Sequence, residues 1–154
     1  MSDRVLKDEE FSFGEAAGPL SGLSSVAGAT RDPSADPLDP PLEERPLIYV
    51  AGYYSASPAH GLANAMAAFQ PLVDAGWLPL VPHVSFLADV LAPNPPAFWY
   101  AYDLALLARC DAMYVCPDAL TATSTGVNEE IRFAMKHDIP IFDEIVPASE
   151  RYDW

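Results

Sequence analysis

Two carboxylates in this chain stand on helix faces that should be apolar, and that placement points to chemistry. Within Ser124 to Ala134, Ser-Thr-Gly-Val-Asn-Glu-Glu-Ile-Arg-Phe-Ala, a glycine turn opens a helix just after an apolar strand. Side chains three and four apart share a helix face, so Val127, Ile131, Ala134 and Met135 form one stripe with Glu130 inside it. Glu129 falls outside that stripe, near Arg132 and Phe133, and reads as a solvated residue. Glu130 also lies about one turn from the helix start, where the positive end of the helix dipole favours the ionised form. Asp103 is the second case, surrounded by Trp99, Leu106, Leu107 and Cys110 on the preceding helix. An unpaired buried charge is costly, so an Asp there must be paired, capped or functional. Both residues have a structural alternative. Glu130 could support its helix start or pair with a neighbour, and Asp103 could be fixed to a backbone amide or to Tyr49. Two half-buried carboxylates beside one crevice suit glycosidic-bond chemistry. One acid attacks or stabilises a cationic sugar carbon while the other handles a proton or orients the first.

Other residues stand close enough in the pattern to assist. Tyr49 lies inside the first strand, two residues before its loop, where its hydroxyl could reach the carboxyl edge of the sheet and bond a carboxylate. His83 follows the second strand and could line a pocket and stack on a base, although a lone His there is more often structural. Ser124 and Asn128 could each donate to a ligand or cap the helix. Gly52 and Gly126 belong to the two loops that should flank the crevice. Tyr53, Tyr54, Trp99 and Tyr102 add aromatic surface suited to the core or to a dimer contact. Competing chemistries lack their signatures. No CxxC pair and no His pair at zinc spacing occurs. GxxxxGK[ST], GxGxxG and GxSxG are also absent. No metal and no cofactor is therefore expected.

The elements that must hold these residues alternate. Leu47 to Ala51 is an apolar run ending at Gly52 and reads as a buried strand. Ser57-Pro58 starts a helix, with Ser as N-cap and Pro at the first helical position. It runs to about Ala75 and stops at Gly76, with Pro71 expected to kink or split it. Leu78 to Val81 is the second strand, and Phe86 to Leu91 a short helical segment. Asn94-Pro95-Pro96 opens a helix through Arg109. Ala112 to Cys116 is the third strand, the next helix runs from Thr125 or Gly126 to about His137, and Pro140 to Ile145 is the fourth strand. Such alternation predicts a small α/β domain, doubly wound and flavodoxin- or Rossmann-like, with a parallel sheet of four to five strands and helices on both faces. With strand order 2-1-3-4, ligands bind at the carboxyl ends between the first and third strands. There the loops Gly52 to Ser57 and Pro117 to Gly126 meet.

Composition bounds the partners. Residues 1–45 carry ten acids and four bases with Pro-rich and Ser-rich stretches, and read as a disordered acidic arm preceding a domain over 46–154. A short helix around Asp8 to Ala17 is compatible with the pattern. The net charge is −14, and after Arg45 the bases are Arg109, Arg132, Lys136 and Arg151. A nucleic acid duplex or an anionic membrane is excluded on that count, because binding them rests on clustered Lys and Arg. No apolar signal sequence opens the chain and no run approaches a membrane span. Cys110 and Cys116 flank one strand about 20 Å apart, beyond disulfide reach, so buried thiols and a cytoplasmic location are expected. A domain of this size is modestly stable alone, so a homodimer or higher homo-oligomer is expected.

These residues together resemble the nucleoside 2-deoxyribosyltransferase superfamily, which includes the deoxynucleoside 5′-monophosphate N-glycosidases. The resemblance runs from Leu47 to about Phe142. It rests on Ile48-Tyr-Val-Ala-Gly52, Pro82-His-Val84, Asp103-Leu-Ala-Leu-Leu-Ala-Arg-Cys-Asp111, Ser124-x-Gly-Val-x-x-Glu130 and Ile139-Pro-Ile-Phe142 in that order. It implies that Glu130 is the nucleophile at the anomeric carbon, that Asp103 and Tyr49 orient it and the sugar, and that Ser124 contacts the sugar's 5′ end or its phosphate. It also implies a dimer or larger assembly in which a neighbouring subunit closes the site. One departure concerns the loop Gly52 to Ser57, which lacks the basic residue of nucleotide-specific members and so favours a nucleoside. The interval from Asp103 to Glu130 is also slightly longer than in the glycosidases. The expected function is cleavage or transfer at the N-glycosidic bond of a (deoxy)nucleoside or nucleotide. The alternatives are a non-catalytic nucleotide-binding or sensing module with the same pocket, and an interaction protein that recruits a partner through its acidic arm.

Overall fold

The computed structural model describes residues 40–152 other than Ala56. The acidic arm therefore lies outside the described residues up to position 39, as does the helix considered over Asp8 to Ala17. Residues 40–45 are described. They include a 3₁₀ turn at Leu42–Glu44 and a buried Arg45. The Arg45 guanidinium group donates to the carbonyls of Pro40 and Val73 at 2.9 and 2.6 Å, so this stretch packs on the domain.

Four strands form one parallel sheet in the order β2-β1-β3-β4, with β1 at Leu47–Ala51, β2 at Leu78–Leu80, β3 at Ala112–Val115 and β4 at Ile141–Phe142. Every strand is apolar because both sheet faces are covered. Successive side chains of β1 alternate between those faces. Ile48 and Val50 pack with Ala65, Ala68 and Leu72 of α1 (Pro58–Asp74). Tyr49 and Ala51 pack with Leu107 of α3 (Pro96–Leu107) and with Val127 and Ala134 of α5 (Thr125–Lys136). Helices on both faces of a parallel sheet make this the small doubly wound α/β fold that the pattern implies.

Several boundaries differ from the sequence reading for identifiable reasons. Pro71 does not split α1, which runs unbroken to Asp74. It stands in the last turn, where the backbone bond it forfeits is near the end of the ladder. Gly76 follows with φ 90°, the left-handed conformation that ends helices. Ser57 occupies the N-cap position of α1, but its side chain makes no capping bond. The segment Pro117 to Gly126 holds a short helix, α4 (Ala119–Thr123), capped by Asp118, whose carboxylate accepts from the Leu120 amide at 2.7 Å. β4 is two residues long rather than six, because β3 offers partners only to Ile141 and Phe142. Met135 is exposed rather than on the buried stripe.

The tail, unreadable in sequence, packs beneath the sheet. Trp77, fully buried, donates to the Val146 carbonyl at 2.8 Å and meets Tyr152 edge to face. Cys110 and Cys116 are buried free thiols on opposite faces of the sheet. Burial pushes both up to about 11, so they stay protonated at neutral pH. Among the described residues no helix is long and apolar enough to cross a membrane.

Candidate active site

A cleft of about 540 Å³ opens at the carboxyl ends of β1 and β2. Gly52, Tyr54 and Ser55 reach it from the loop after β1, and Pro82 and His83 from the 3₁₀ turn after β2. Trp99, Tyr100 and Asp103 reach it from α3, Ser124 to Val127 from the start of α5, and Glu130 from one turn further on. The start of α5 brings the chain that follows β3 to the same cleft, so segments from both sides of the point where the sheet order reverses line it, as expected for a doubly wound fold.

Glu130 and Asp103 are brought together on its inner wall, both half-buried. Behind them stands Tyr49, wholly buried in the sheet, whose hydroxyl donates to Glu130 Oε1 at 2.7 Å. This bond replaces the pairing of Asp103 with Tyr49 that the sequence left open. Asp103 Oδ1 is buried and has no hydrogen-bond partner among the described residues. Burial raises the Asp103 carboxyl to about 6. Burial also raises Glu130, to about 7, with the Tyr49 bond pulling the other way and the Asp103 charge adding to the rise. Tyr49 is pushed well above its usual range by burial and by the charges of Glu130 and Asp103, so it remains a donor. The pair thus holds protons loosely near neutrality, the range in which a carboxylate can serve as nucleophile or proton carrier.

The remaining sequence candidates divide by position. His83 is buried and its Nε2 lies 3.1 Å from the Gly52 carbonyl. Burial lowers its pKa, so the ring is neutral, and because a carbonyl only accepts, Nε2 carries the proton. His83 therefore fixes the loop after β1 while presenting its ring to the cleft. A side chain on Gly52 would crowd that ring, with a Cβ at 3.3 Å from Nε2. Ser124 does two things at once. Its Oγ accepts from the Val127 amide at 3.4 Å as the N-cap of α5, and it borders the cleft beside Gly126. Asn128 takes the local role: its side-chain amide donates to the carbonyls of Ser124 and Ala122, and it is not on the cleft wall. Of the predicted loop Pro117 to Gly126, only the end reaches the cleft. α4 instead braces the loop after β1, through Thr121 Oγ1 accepting from the Tyr53 amide, while its N-cap Asp118 meets His60 of α1.

Two contributors escaped the sequence reading. Gly61, in the first turn of α1, lies so close to the loop after β1 that an added Cβ would sit 2.1 Å from the Tyr53 carbonyl oxygen. Asp89, on the short helix α2 (Phe86–Leu91), borders the cleft and accepts from the Trp99 indole at 2.6 Å. Neither is visible locally, because each depends on a partner supplied by the tertiary fold.

A family model described as a domain of unknown function (DUF7768) matches residues 46–143, from just before β1 to just past β4. The chain belongs to that family. The match contains every element that builds the cleft, and so places Tyr49, Asp103 and Glu130 within the DUF7768 domain itself. No curated protein and no solved structure is matched by the chain.

Proposed function

We propose that this domain cleaves or transfers at the N-glycosidic bond of a (deoxy)nucleoside or nucleotide, with Glu130 as nucleophile. The observation that carries the reading is the buried Tyr49 hydroxyl aimed at Glu130 Oε1, which holds the carboxylate at the wall of a cleft large enough for a small ligand. In the proposed reaction a Glu130 oxygen bonds to C1′ as the C1′–N bond breaks through an oxocarbenium-like transition state. The base leaves with the bonding electron pair and takes up a proton from an acid or water. Water or a second base then attacks C1′ and releases Glu130, so that covalent catalysis divides one hard step into two easier ones.

Tyr49 orients the carboxylate, and Asp103 stands beside it to position the sugar or hold a proton. Tyr54, His83 and Trp99 offer ring surface for a base. No cofactor enters this scheme. A homo-oligomer is part of the proposal, supported by the exposed apolar side chains Leu87, Val90 and Leu91 on α2 and Phe98 and Tyr102 on α3. Sedimentation velocity tests it. The buried free thiols suit a reducing, cytoplasmic compartment.

The test is incubation of the full chain with a panel of nucleosides, nucleotides and NAD, with chromatography for liberated base. Release of base from a nucleoside is the expected result. Saturable binding with no base released over hours would instead establish the sensing module.

A further inference from the structure

We infer that Asp89 is a specificity-determining residue that reads an N–H donor on the base, so that the cleft prefers nucleosides whose base carries an exocyclic amine. The inference rests on the nucleoside reading of the cleft and names the class of base within it.

One oxygen of Asp89 is fully committed. Oδ1 accepts from the Trp99 indole N–H at 2.6 Å and from the Asn94 backbone amide at 2.9 Å. Asp89, Asn94 and Trp99 all border the cleft. Oδ2 makes no hydrogen bond among the described residues, and it is not among the buried polar atoms that lack a partner. It is therefore an accessible acceptor on a residue that borders the cleft, and two donors from outside its own helix already fix the carboxylate. Ionised carboxylates accept and cannot donate. A base edge offering N–H to Oδ2 gains a charge-assisted bond, whereas a carbonyl there meets repulsion and loses its water.

The position suits the aglycone rather than the sugar. Trp99, which holds Asp89, precedes Asp103 by four residues on α3, about 6 Å along the axis. Asp89 is thus held by a side chain rooted one helical turn before Asp103, and shares the cleft lining with Trp99 and Tyr54. Among the described residues no Lys or Arg lines the cleft, so no cation is present to favour a carbonyl-edged base.

The test uses pairs of nucleosides that differ by one amino group: 2′-deoxyadenosine against purine 2′-deoxyriboside, and 2′-deoxyguanosine against 2′-deoxyinosine. Binding to the full chain is read by calorimetry and turnover by base release. The amino member of at least one pair should be favoured about tenfold to a hundredfold. In Asp89→Asn the Trp99 and Asn94 donors still demand an oxygen, so the amide nitrogen turns to the cleft and an acceptor becomes a donor. The amino preference should then vanish or reverse. Equal affinity of the wild type for both members of each pair would overturn the assignment, as would an Asn variant that keeps the preference. Should that variant fail to fold, as read by circular dichroism, the wild-type pairs alone decide. Amine-selective binding without base release would sink the glycosidic reading and leave this one standing. Base release without amine selectivity would do the opposite.

Discussion

The Tyr49 hydroxyl donates to Glu130 Oε1 across 2.7 Å, tying the central strand to the wall of the cleft. Tyr49 comes from β1 and Glu130 from α5, so the bond joins two elements that meet only in the folded chain. Of the influences on Glu130, burial and the Asp103 charge favour the protonated form, while the Tyr49 bond favours the ionised one. Tyr49 thereby works against burial to keep part of the Glu130 side chain ionised near neutral pH.

Tyr49→Phe should separate that role from packing. The ring still fills its site, so the fold should lose only about 1–2 kcal/mol. The rate of base release at neutral pH should fall roughly tenfold to a hundredfold, because Glu130 loses its orienting donor and its pKa rises. A pH–rate profile whose rising limb moves to higher pH is the expected signature, and a thermal melt checks the fold.

For the unaltered chain, nucleophilic attack needs Glu130 ionised. With that carboxyl at about 7, kcat/KM should climb up to about tenfold per pH unit below neutrality and level off above it. Asp103, at about 6, ionises first as pH rises, and its charge then holds the Glu130 proton more tightly.

The same shift has a stability consequence of fixed sign. The folded-state pKa of Glu130, about 7, lies above its ordinary 4.5, so between those values the folded chain binds more protons than the unfolded chain. Stability from this group is fully present below about 4.5 and is lost as pH rises through about 7. Glu130→Gln removes the titration. The variant should match the wild type in denaturant melts near pH 4 and exceed it by on the order of 1–2 kcal/mol near pH 8.

Gly61→Ala should damage the cleft from a distance. Its Cβ would overlap the Tyr53 carbonyl, which is backbone and cannot swing aside. A loss on the order of 1–3 kcal/mol is expected, with weakened ligand binding as the Tyr53–Tyr54 segment shifts. Chemical denaturation and calorimetry read the two effects separately.

What was legible in the sequence followed from unbroken local patterns. Leu47 to Ala51 is apolar without interruption because a central parallel strand is covered on both sides, and Glu130 stood out because the stripe around it is regular. The stripe misled only at Met135, eight residues from Val127, where the 100° step per residue has drifted by about 80° and carried the side chain into solvent. Pro117 to Gly126 hid α4 because one short turn has no periodicity to show, although Asp118 was a readable cap. Asn128 looked equally fit for ligand or helix, and only the positions of the Ser124 and Ala122 carbonyls decided it. Asp89 and Gly61 carried no local signal, because an acid on a short helix and a glycine in a helix acquire meaning from Trp99 and Tyr53.

The role of Glu130 is decided by the initial rate of base release from the best nucleoside, measured side by side for the wild type and Glu130→Gln. The substitution keeps the size of the side chain and an acceptor for Tyr49, and removes the carboxylate. Release by the wild type and a loss of at least about a thousandfold in the variant, with its melting transition retained, are expected if Glu130 attacks the sugar. Equal rates in the two proteins, or no release by the wild type from any nucleoside or nucleotide, would contradict that role.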